Sequence, residues 1–325
     1  MLGRKSAQET NPKYGQGEAT LELDDDVLLD EEELTKRLLD TFSAPHYRPP
    51  TLPSVATELL TLSRKPDVAF DDIAALLEQD TLLTGQVMKL MQSPLYTSAT
   101  AITSLKDAVV RIGLNVLCDV VLEASLNMRV FRADAYMDSM ERLRRHCTLT
   151  AHLSRIVCRY TAIEGEYAFL CGLLHDVGIA GTLIALSDGS RRKPPPDLVA
   201  IWPAVDRVHA EAATLMAKLW GLPMEIQLVL GAHHRVMIDG YAHPLAATVC
   251  LAEDVAHELG CGLVPGDGET TAGAAALEHA CLQSHTRTDR SSPKSLEQAR
   301  TALRITDEQM ELIYQDSRKL QEKLD

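Results

Sequence analysis

Apolar residues recur at helical spacing through most of the chain, and this pattern constrains the fold more than any other feature. The segments SVATELLTLSRK (54–65) and FDDIAALLEQD (70–80) each carry apolar side chains at positions i, i+3 and i+4. This is the spacing of one face of an amphipathic helix. The chain has neither the strand–helix alternation of a doubly wound sheet nor a glycine-rich phosphate loop. The sequence therefore predicts an all-α fold.

Glycine, proline and capping residues divide this pattern into separate helices. A short lead-in helix is predicted in EEELTKRLLDTF (31–42), and the sequence from 54 to 128 is helical throughout. The segment 187–197 is predicted to be a loop, and a Gly- and Pro-rich excursion begins at 262. A last amphipathic helix closes the chain. In the second half we predict helices over 136–163, 166–176, 203–219, 223–234 and 243–259, with Gly165, Gly178, Gly221 and Gly260 at expected helix ends.

The charge balance restricts the partners of this protein. Asp and Glu number 46 against 32 Lys and Arg, which gives a formal net charge of −14. Such a charge argues against a nucleic acid or an anionic membrane as the main partner. Part of the acidity lies in EATLELDDDVLLDEEEL (18–34), which is typical of a solvated tail or, alternatively, of an acidic docking segment. We predict that residues 1–30 form an acidic disordered tail.

Cysteine usage indicates a reducing compartment. The seven cysteines are scattered and never form a CxxC pair, and most lie in apolar helical patterns. The N-terminus lacks the apolar core of a signal peptide, and we identify no apolar stretch of membrane-spanning length. We therefore expect a soluble, cytoplasmic protein.

Several metal-capable side chains occupy inward or helix-terminal positions. The apolar run FLCGLLHDVGIAG (169–181) contains His175 and Asp176 at its expected helix end. His146 and His209 each lie on the apolar stripe of their helix, and Asp254 lies on the stripe of Ala247, Cys250 and Leu251. A carboxylate that faces a core is costly unless it is paired or bound to a cation.

Taken together, these residues form an ordered set on successive helices. Neutral imidazoles and carboxylates suit iron, manganese, zinc or nickel, and the set has enough donors for one ion or two. The alternative is an internal hydrogen-bond network without metal. The remaining histidines, including His152 and His257, are expected at the surface or at helix ends. The candidate ligands are His146, His175, Asp176, His209, His233, His234 and Asp254.

The order His, His-Asp, His, His-His, Asp resembles the HD superfamily of metal-dependent phosphohydrolases, especially its HD-GYP phosphodiesterase branch. The first half sharpens this identification because it is similar to the N-terminal half of an HDOD domain. The resemblance covers roughly 45–260. The segments that carry it are Leu52-Pro53, Asp80-Thr81-Leu82-Leu83, Gln92-Ser93 and Ser104-Leu105 followed by Ala108 and Ile112-Gly113.

The resemblance implies a helical bundle of HD/HDOD type with a flexible N-terminal tail and a C-terminal helical extension. It divides the chain into the tail, an HDOD domain over 31–262 and a loop plus C-terminal helix over 263–325. Within the HDOD domain, residues 45–130 form the N-terminal helical half and residues 136–260 the HD-like half.

The chain departs from the catalytic branch at two points. HD-GYP enzymes carry a lysine shortly after the His-Asp pair, where this chain has Ile179. The segment after His233-His234 has Arg235 in place of glutamate and lacks the Gly-Tyr-Pro signature.

Three hypotheses follow. The first is a bacterial signalling module with protein partners and a nucleotide as a candidate ligand, in which a metal braces the helices without robust catalysis. The second is a metal-dependent phosphohydrolase or phosphodiesterase acting on a nucleotide or cyclic dinucleotide, with the metals activating water and Arg235 or Arg145 supplying the missing cation. The third is the metal-free hydrogen-bond network. The sequence does not indicate an oligomeric state.

Overall fold

The structure is a computed structural model of the 325-residue chain. It describes residues 30–324, except 46, 53, 63–68, 78, 97–101, 103, 164, 166, 190–195 and 264–291. The predicted acidic tail and most of the two predicted loops, at 187–197 and after 262, lie outside the described residues.

The described residues form fourteen α-helices, a single 3₁₀ turn and one two-stranded antiparallel hairpin, so the predicted all-α fold is confirmed. In the hairpin, Met237 is paired with Ala242 and Ile238 with Tyr241. The helices are α1 (Glu31–Ser43), α2 (Ser54–Leu62), α3 (Phe70–Leu77), α4 (Thr81–Met91), α5 (Leu105–Ile112), α6 (Leu114–Arg129), α7 (Met137–Arg159), α8 (Ala168–Leu174), α9 (Val177–Gly189), α10 (Leu198–Leu219), α11 (Met224–Leu230), α12 (Pro244–Glu258), α13 (Pro293–Leu303) and α14 (Asp307–Leu324); the strands are β1 (Met237–Ile238) and β2 (Tyr241–Ala242).

Helices α2–α6 enclose a core of their own. Leu59, Ile73, Leu83, Val87 and Leu117 are fully buried in it, and they come from segments whose apolar residues recur at helical spacing. Because each of these helices is short, its apolar stripe is stabilised mainly by packing on its neighbours rather than by helix propensity. This core forms the N-terminal half of the bundle.

The HD-like half is built around α7 and α8. The 23-residue helix α7 packs against α8 and α12, while α9 packs against α10. Helix α1 lies on α10, and it buries Leu34, Leu38 and Phe42, as its sequence pattern predicts. Every residue of α8 is buried, which is typical of a helix at the centre of a bundle.

The segment Ala168–Ser187 is long and apolar enough to cross a membrane, contrary to our interpretation of the sequence. In the structure, however, it comprises α8 and most of α9, separated by the His175-Asp176 junction, and 89% of its most apolar part is buried inside the protein. Its apolar character therefore serves the bundle core.

The structure differs from the predicted elements at several helix ends; α11, for example, ends at Leu230 and not at 234. Three further differences are larger. Residues 177–189 form α9, although the sequence analysis ended its helix at 176. Helix α10 begins at Leu198, five residues before the predicted start, and continues through Pro203. Before the last helix, α13 covers part of the segment after 262 that was predicted to be a loop. Ser292 caps α13 by accepting a hydrogen bond from the Ser295 amide.

Gly178 has a different structural role from the one its position suggested. Gly221 and Gly260 follow helix ends with positive φ, as expected, but Gly178 lies inside α9. A Cβ atom at this position would lie 1.9 Å from the carbonyl oxygen of His209 and 2.7 Å from the amide nitrogen of Ala213. The missing side chain therefore lets α9 and α10 approach closely, beside one of the candidate ligands.

We expect Gly178→Ala to destabilise the protein by about 3 kcal/mol, because the added methyl group must push the α10 backbone away from α9. Gly85→Ala is the matched control. Gly85 also lies inside a helix, and a Cβ atom added there would meet no atom within 4 Å, so we expect a change within about 1 kcal/mol in the stabilising direction. Urea unfolding measures both values; equal stabilities of the two variants would contradict the close approach.

Candidate metal centre

The candidate ligands come from separate elements that meet in the interior. His146 lies on α7 and His209 on α10, whereas His175 and Asp176 occupy the short junction between α8 and α9. His233 lies three residues after the end of α11. These five side chains are all buried, and His175 and His233 have no exposed surface.

The junction places its two residues at the centre for a local reason. Helix α8 is apolar on every side and is therefore buried as a whole, so the residues after Leu174 emerge inside the bundle. His175 still has helical backbone angles, and its Nδ1–H donates to the carbonyl oxygen of Gly172 at 2.7 Å. The ring is thereby fixed by its own helix.

The Asp176 carboxylate lies between two groups of imidazoles. Its Oδ2 atom is 3.3 Å from Nε2 of His175 and 3.6 Å from Nε2 of His146. Its Oδ1 atom is 3.6 Å from Nε2 of both His209 and His233. Each carboxylate oxygen thus faces its own pair of rings.

The ligand atoms form two sets that share Asp176. In each set, one donor atom per residue lies within 4.8 Å of every other. The two sets are His146, His175, Asp176 and Glu253, and Asp176, His209, His233 and His234.

Four of the rings present the same nitrogen to the centre. In each, Nδ1 lies 2.5–2.8 Å from a backbone carbonyl oxygen, which can only accept, so Nδ1 carries the hydrogen. In the neutral ring, Nε2 then carries a lone pair. For His146, His175, His209 and His233, the carbonyl groups belong to Cys261, Gly172, Asp206 and Leu230, respectively.

These lone pairs face one another at short range. The Nε2 atoms of His146 and His175 are 3.1 Å apart, and that of His209 lies 3.1 Å from Nε2 of His234 and 3.3 Å from Nε2 of His233. In this tautomer, neutral His146 and His175 rings have no hydrogen to donate to each other through Nε2. The same arrangement, with its outer nitrogens fixed by backbone carbonyls, suits a cation.

Glu253 occupies the place that the sequence analysis assigned to Asp254. Glu253 is 1% exposed, and its Oε2 atom lies 3.5 Å from Nδ1 of His234. Asp254 is turned about 100° further around α12, and it lines a separate pocket with Arg300 and Tyr314. Because α12 is covered by α7 on one side and α13 on another, its buried pattern does not indicate which acid faces the cluster.

Two histidines that were expected at the surface or at a helix end are largely enclosed. The His257 ring lies 5.1 Å from the His146 ring, centroid to centroid, and its Nε2 atom is 3.9 Å from Oε1 of Glu253. His152 is buried and packs edge-on against Phe169. Sequence spacing missed both because each lies off the main apolar stripe of a helix that is covered on several sides.

The two candidate arginines lie outside this centre. Arg145 is exposed on α7. Arg144 lowers the pKa of Glu141 most, burial raises it in part, and the charge of Arg145 adds a smaller lowering. Arg235 is exposed and donates to the carbonyl oxygen of Gly231 at 2.8 Å. Arg235 nevertheless lines a cavity of about 770 Å³ beside His209, His233 and His234, together with Arg207.

Burial keeps the cluster in the protonation state of a ligand set. Desolvation is the main cause that lowers the pKa of His146 to about 3, and the neighbouring imidazoles of His175 and His257 lower it further. Desolvation also lowers the pKa of His209 to about 4 and that of His234 well below its usual range.

These shifts predict that the metal-free protein loses stability in mild acid. The three histidines stay neutral in the fold but gain protons in the unfolded chain below its ordinary pKa of about 6.5, so the free energy of unfolding should fall as the pH falls from about 6.5 to about 4. Each histidine contributes at most about 1.4 kcal/mol per pH unit.

Urea unfolding of chelator-treated protein across this pH range measures the slope. The double variant His146→Gln, His209→Gln should show a shallower slope, because two of the titrating groups are gone. The comparison concerns the slope and not the absolute stability, so a destabilised variant is still informative. Parallel slopes in the two proteins would contradict the assignment.

Comparison with known proteins agrees with this architecture. A curated relative, an uncharacterized protein of Treponema pallidum (strain Nichols), is 28% identical over 233 residues, which is 68% of this chain and 43% of the relative. This chain thus spans less than half the length of that relative.

Two crystal structures share the fold. An HDOD domain protein with unknown function from Geobacter sulfurreducens has a TM-score of 0.55 and 21% identity, over 88% of this chain and 97% of the other. A candidate metal-dependent phosphohydrolase from Shewanella amazonensis SB2B has a TM-score of 0.58 and 17% identity, over 87% and 99%.

A third crystal structure, of a candidate signal transduction protein from Marinobacter aquaeolei VT8, has a TM-score of 0.50 and 19% identity, over 88% of this chain and 66% of the other. The sequence profile of the HDOD domain matches residues 50–236, which is more than half of the chain. The resemblance inferred from the sequence is therefore confirmed, and the chain belongs to the HDOD domain family.

Proposed function

We propose that this protein is a cytoplasmic module of bacterial signal transduction, in which a buried metal centre braces an HDOD bundle and signals pass to protein partners. One observation carries this proposal: a single carboxylate, Asp176, lies between two groups of imidazole nitrogens that all present lone pairs. A buried anion among acceptors is compensated best by bound cations.

The ligand sets define which residues would hold the metal. One ion would be bound by His146, His175, Glu253 and Asp176, and a second by Asp176 with the other three histidines. Iron, manganese, zinc and nickel all suit these nitrogen and oxygen donors. The ions would tie α7, the α8–α9 junction, α10, α12 and the residues after α11 together, so that metal loading and bundle stability are linked.

The residue three positions after the His-Asp pair argues against robust hydrolysis. Ile179 stands where the resembling HD-GYP enzymes carry a lysine, and its side chain is buried. A buried aliphatic side chain offers no charge to a substrate phosphate. We therefore expect the metal centre to serve mainly as a structural and regulatory element.

A second candidate function is metal-dependent phosphoester hydrolysis. The cavity beside the His209, His233 and His234 group favours it, because Arg207 and Arg235 line that cavity and guanidinium groups bind phosphate well. Bound metal would supply Lewis-acid activation of water and neutralise phosphate charge. The two arginines would then orient the phosphoester.

Elemental analysis of protein purified anaerobically without chelators tests the metal centre. We expect one to two equivalents of transition metal per chain in the wild type and a large loss in His175→Ala. Metal-free wild-type protein that resists remetallation would overturn the proposal.

The metal-loaded protein is then assayed with a cyclic dinucleotide and with p-nitrophenyl phosphate. We expect no turnover at an ordinary enzyme rate, roughly 1 s⁻¹ or more. Turnover at such a rate that is abolished in His175→Ala would instead establish the hydrolase.

Neighbouring acids on α12 provide a matched test of the ligand set. We expect Glu253→Gln to weaken binding of one ion by at least about tenfold, since an amide oxygen is a poorer ligand than a carboxylate. Asp254→Asn changes the next residue in the same way but lies outside the set, so we expect its metal affinity to match that of the wild type. Metal titration with a competing chelator measures both; a larger loss in Asp254→Asn would reverse the assignment.

A further inference from the structure

A third pocket, with a cavity of about 500 Å³, lies between α7 and the C-terminal helix α14. Leu95 and Tyr96, which follow α4, form another part of its wall. Its α7 residues begin at His152, six residues after His146, and this places them on a different face of the helix from the metal centre. We refer to this cavity as the α7–α14 pocket.

Positive charge is concentrated in this pocket although the chain as a whole is acidic. Arg155, Arg159, Lys319 and Lys323 all line it, against a single lining carboxylate, Asp316. Asp316 is shared, since Arg159 Nη1 lies 3.6 Å from it and Lys319 Nζ 3.2 Å from it.

Arg155 is paired with Asp119, which does not line this pocket. Together with the buried Glu123, three carboxylates thus lie at or beside the pocket against four cations, which leaves a small excess of positive charge. Arg159 and Lys319 keep more than half of their side-chain surface exposed, so a ligand can reach them.

The inner wall of the pocket is aromatic and polar. The Tyr96 hydroxyl lies 3.4 Å from Nε2 of His152, and the two rings are 6.0 Å apart with an angle of 57° between them. Behind them lies Glu123, which is 3% exposed and has its Oε2 atom 3.7 Å from the same histidine nitrogen. The apolar side chains of Ile156 and Leu320 also line the cavity.

These features together specify the chemistry of a ligand. Guanidinium and ammonium groups bind phosphate oxygens, whereas an aromatic and apolar wall accepts a planar ring. The cavity volume falls within the range of about 300–1,000 Å³ found for small-molecule sites. A free phosphate ion would leave the aromatic wall uncovered, and a purely aromatic ligand would leave the excess positive charge of the pocket uncompensated.

We propose that the α7–α14 pocket binds a nucleoside phosphate, with its base against Tyr96 and His152 and its phosphates on Arg159, Lys319 and Lys323. This site is separate from the metal centre and goes beyond the function proposed above. It would make the protein responsive to a nucleotide.

The pocket is formed by two parts of the chain, one inside and one outside the segment that the HDOD profile matches. Tyr96, His152 and Arg159 lie within the segment that the HDOD profile matches, whereas both lysines lie on α14, outside that segment. Helix α14 is held to the end of α7 by two hydrogen bonds: Gln309 Nε2 donates to the carbonyl oxygen of Tyr160, and the Tyr160 hydroxyl donates to Asp316, both at 2.8 Å. A bound nucleotide would strengthen this contact and reach the helix that carries His146.

Isothermal titration calorimetry of the purified full-length protein with AMP, GMP, ATP and GTP tests the proposal. We expect saturable binding of at least one nucleotide at one site per chain, with an affinity that falls as salt is raised. The variant Lys319→Glu, Lys323→Glu should bind it at least tenfold more weakly. The control Lys294→Glu, Arg318→Glu changes net charge equally at exposed positions that do not line the pocket, and it should bind as the wild type does.

A third variant separates this site from the metal centre. His209→Gln removes a candidate metal ligand and should retain nucleotide binding at the α7–α14 pocket. Binding that is lost in His209→Gln but kept in the double lysine variant would place the nucleotide at the metal centre and overturn the proposal. The proposal would equally fail if none of the four nucleotides bound saturably, or if the two double variants lost affinity to the same extent.

Discussion

The Asp176 carboxylate is buried among imidazoles from separate helices, and the rest of the bundle is arranged around this contact. Its two oxygens face opposite groups of histidines, and the outer nitrogens of four of those rings are already committed to backbone carbonyls. When these four rings are neutral, they offer no hydrogen to the carboxylate, and a bound cation would compensate its charge. Every helix that contributes a ring must be held in a fixed position for a cation to be bound.

The packing around Asp176 holds the surrounding histidines in position through backbone contacts. Gly178 lets α9 lie against the carbonyl group of His209, which fixes the distance between the His-Asp junction and α10. His175, His209 and His233 are each tethered to a carbonyl oxygen three residues earlier, so the local backbone orients them directly. Burial then keeps the His209 ring neutral, which is the form that binds metal.

The C-terminal helices add a second layer to this centre. Helix α13 covers α12 on the side that carries Asp254, while α14 packs on α7 and closes the positively charged pocket. Because α7 lines both the metal centre and that pocket, a ligand at one place can bias the position of a helix that serves the other.

The sequence by itself determined the helical class, most of the helices in the second half and six residues of the candidate centre. Helical spacing and helix-end glycines carry that information, because they depend on contacts between near neighbours in the chain. Only the tertiary structure decided between Glu253 and Asp254, since α12 is covered on several sides and a one-dimensional stripe does not tell which acid faces the histidines. The surroundings of His152 and His257 were likewise decided only by the tertiary structure. The packing of α14 against α7 was too, because both involve segments that are distant in sequence.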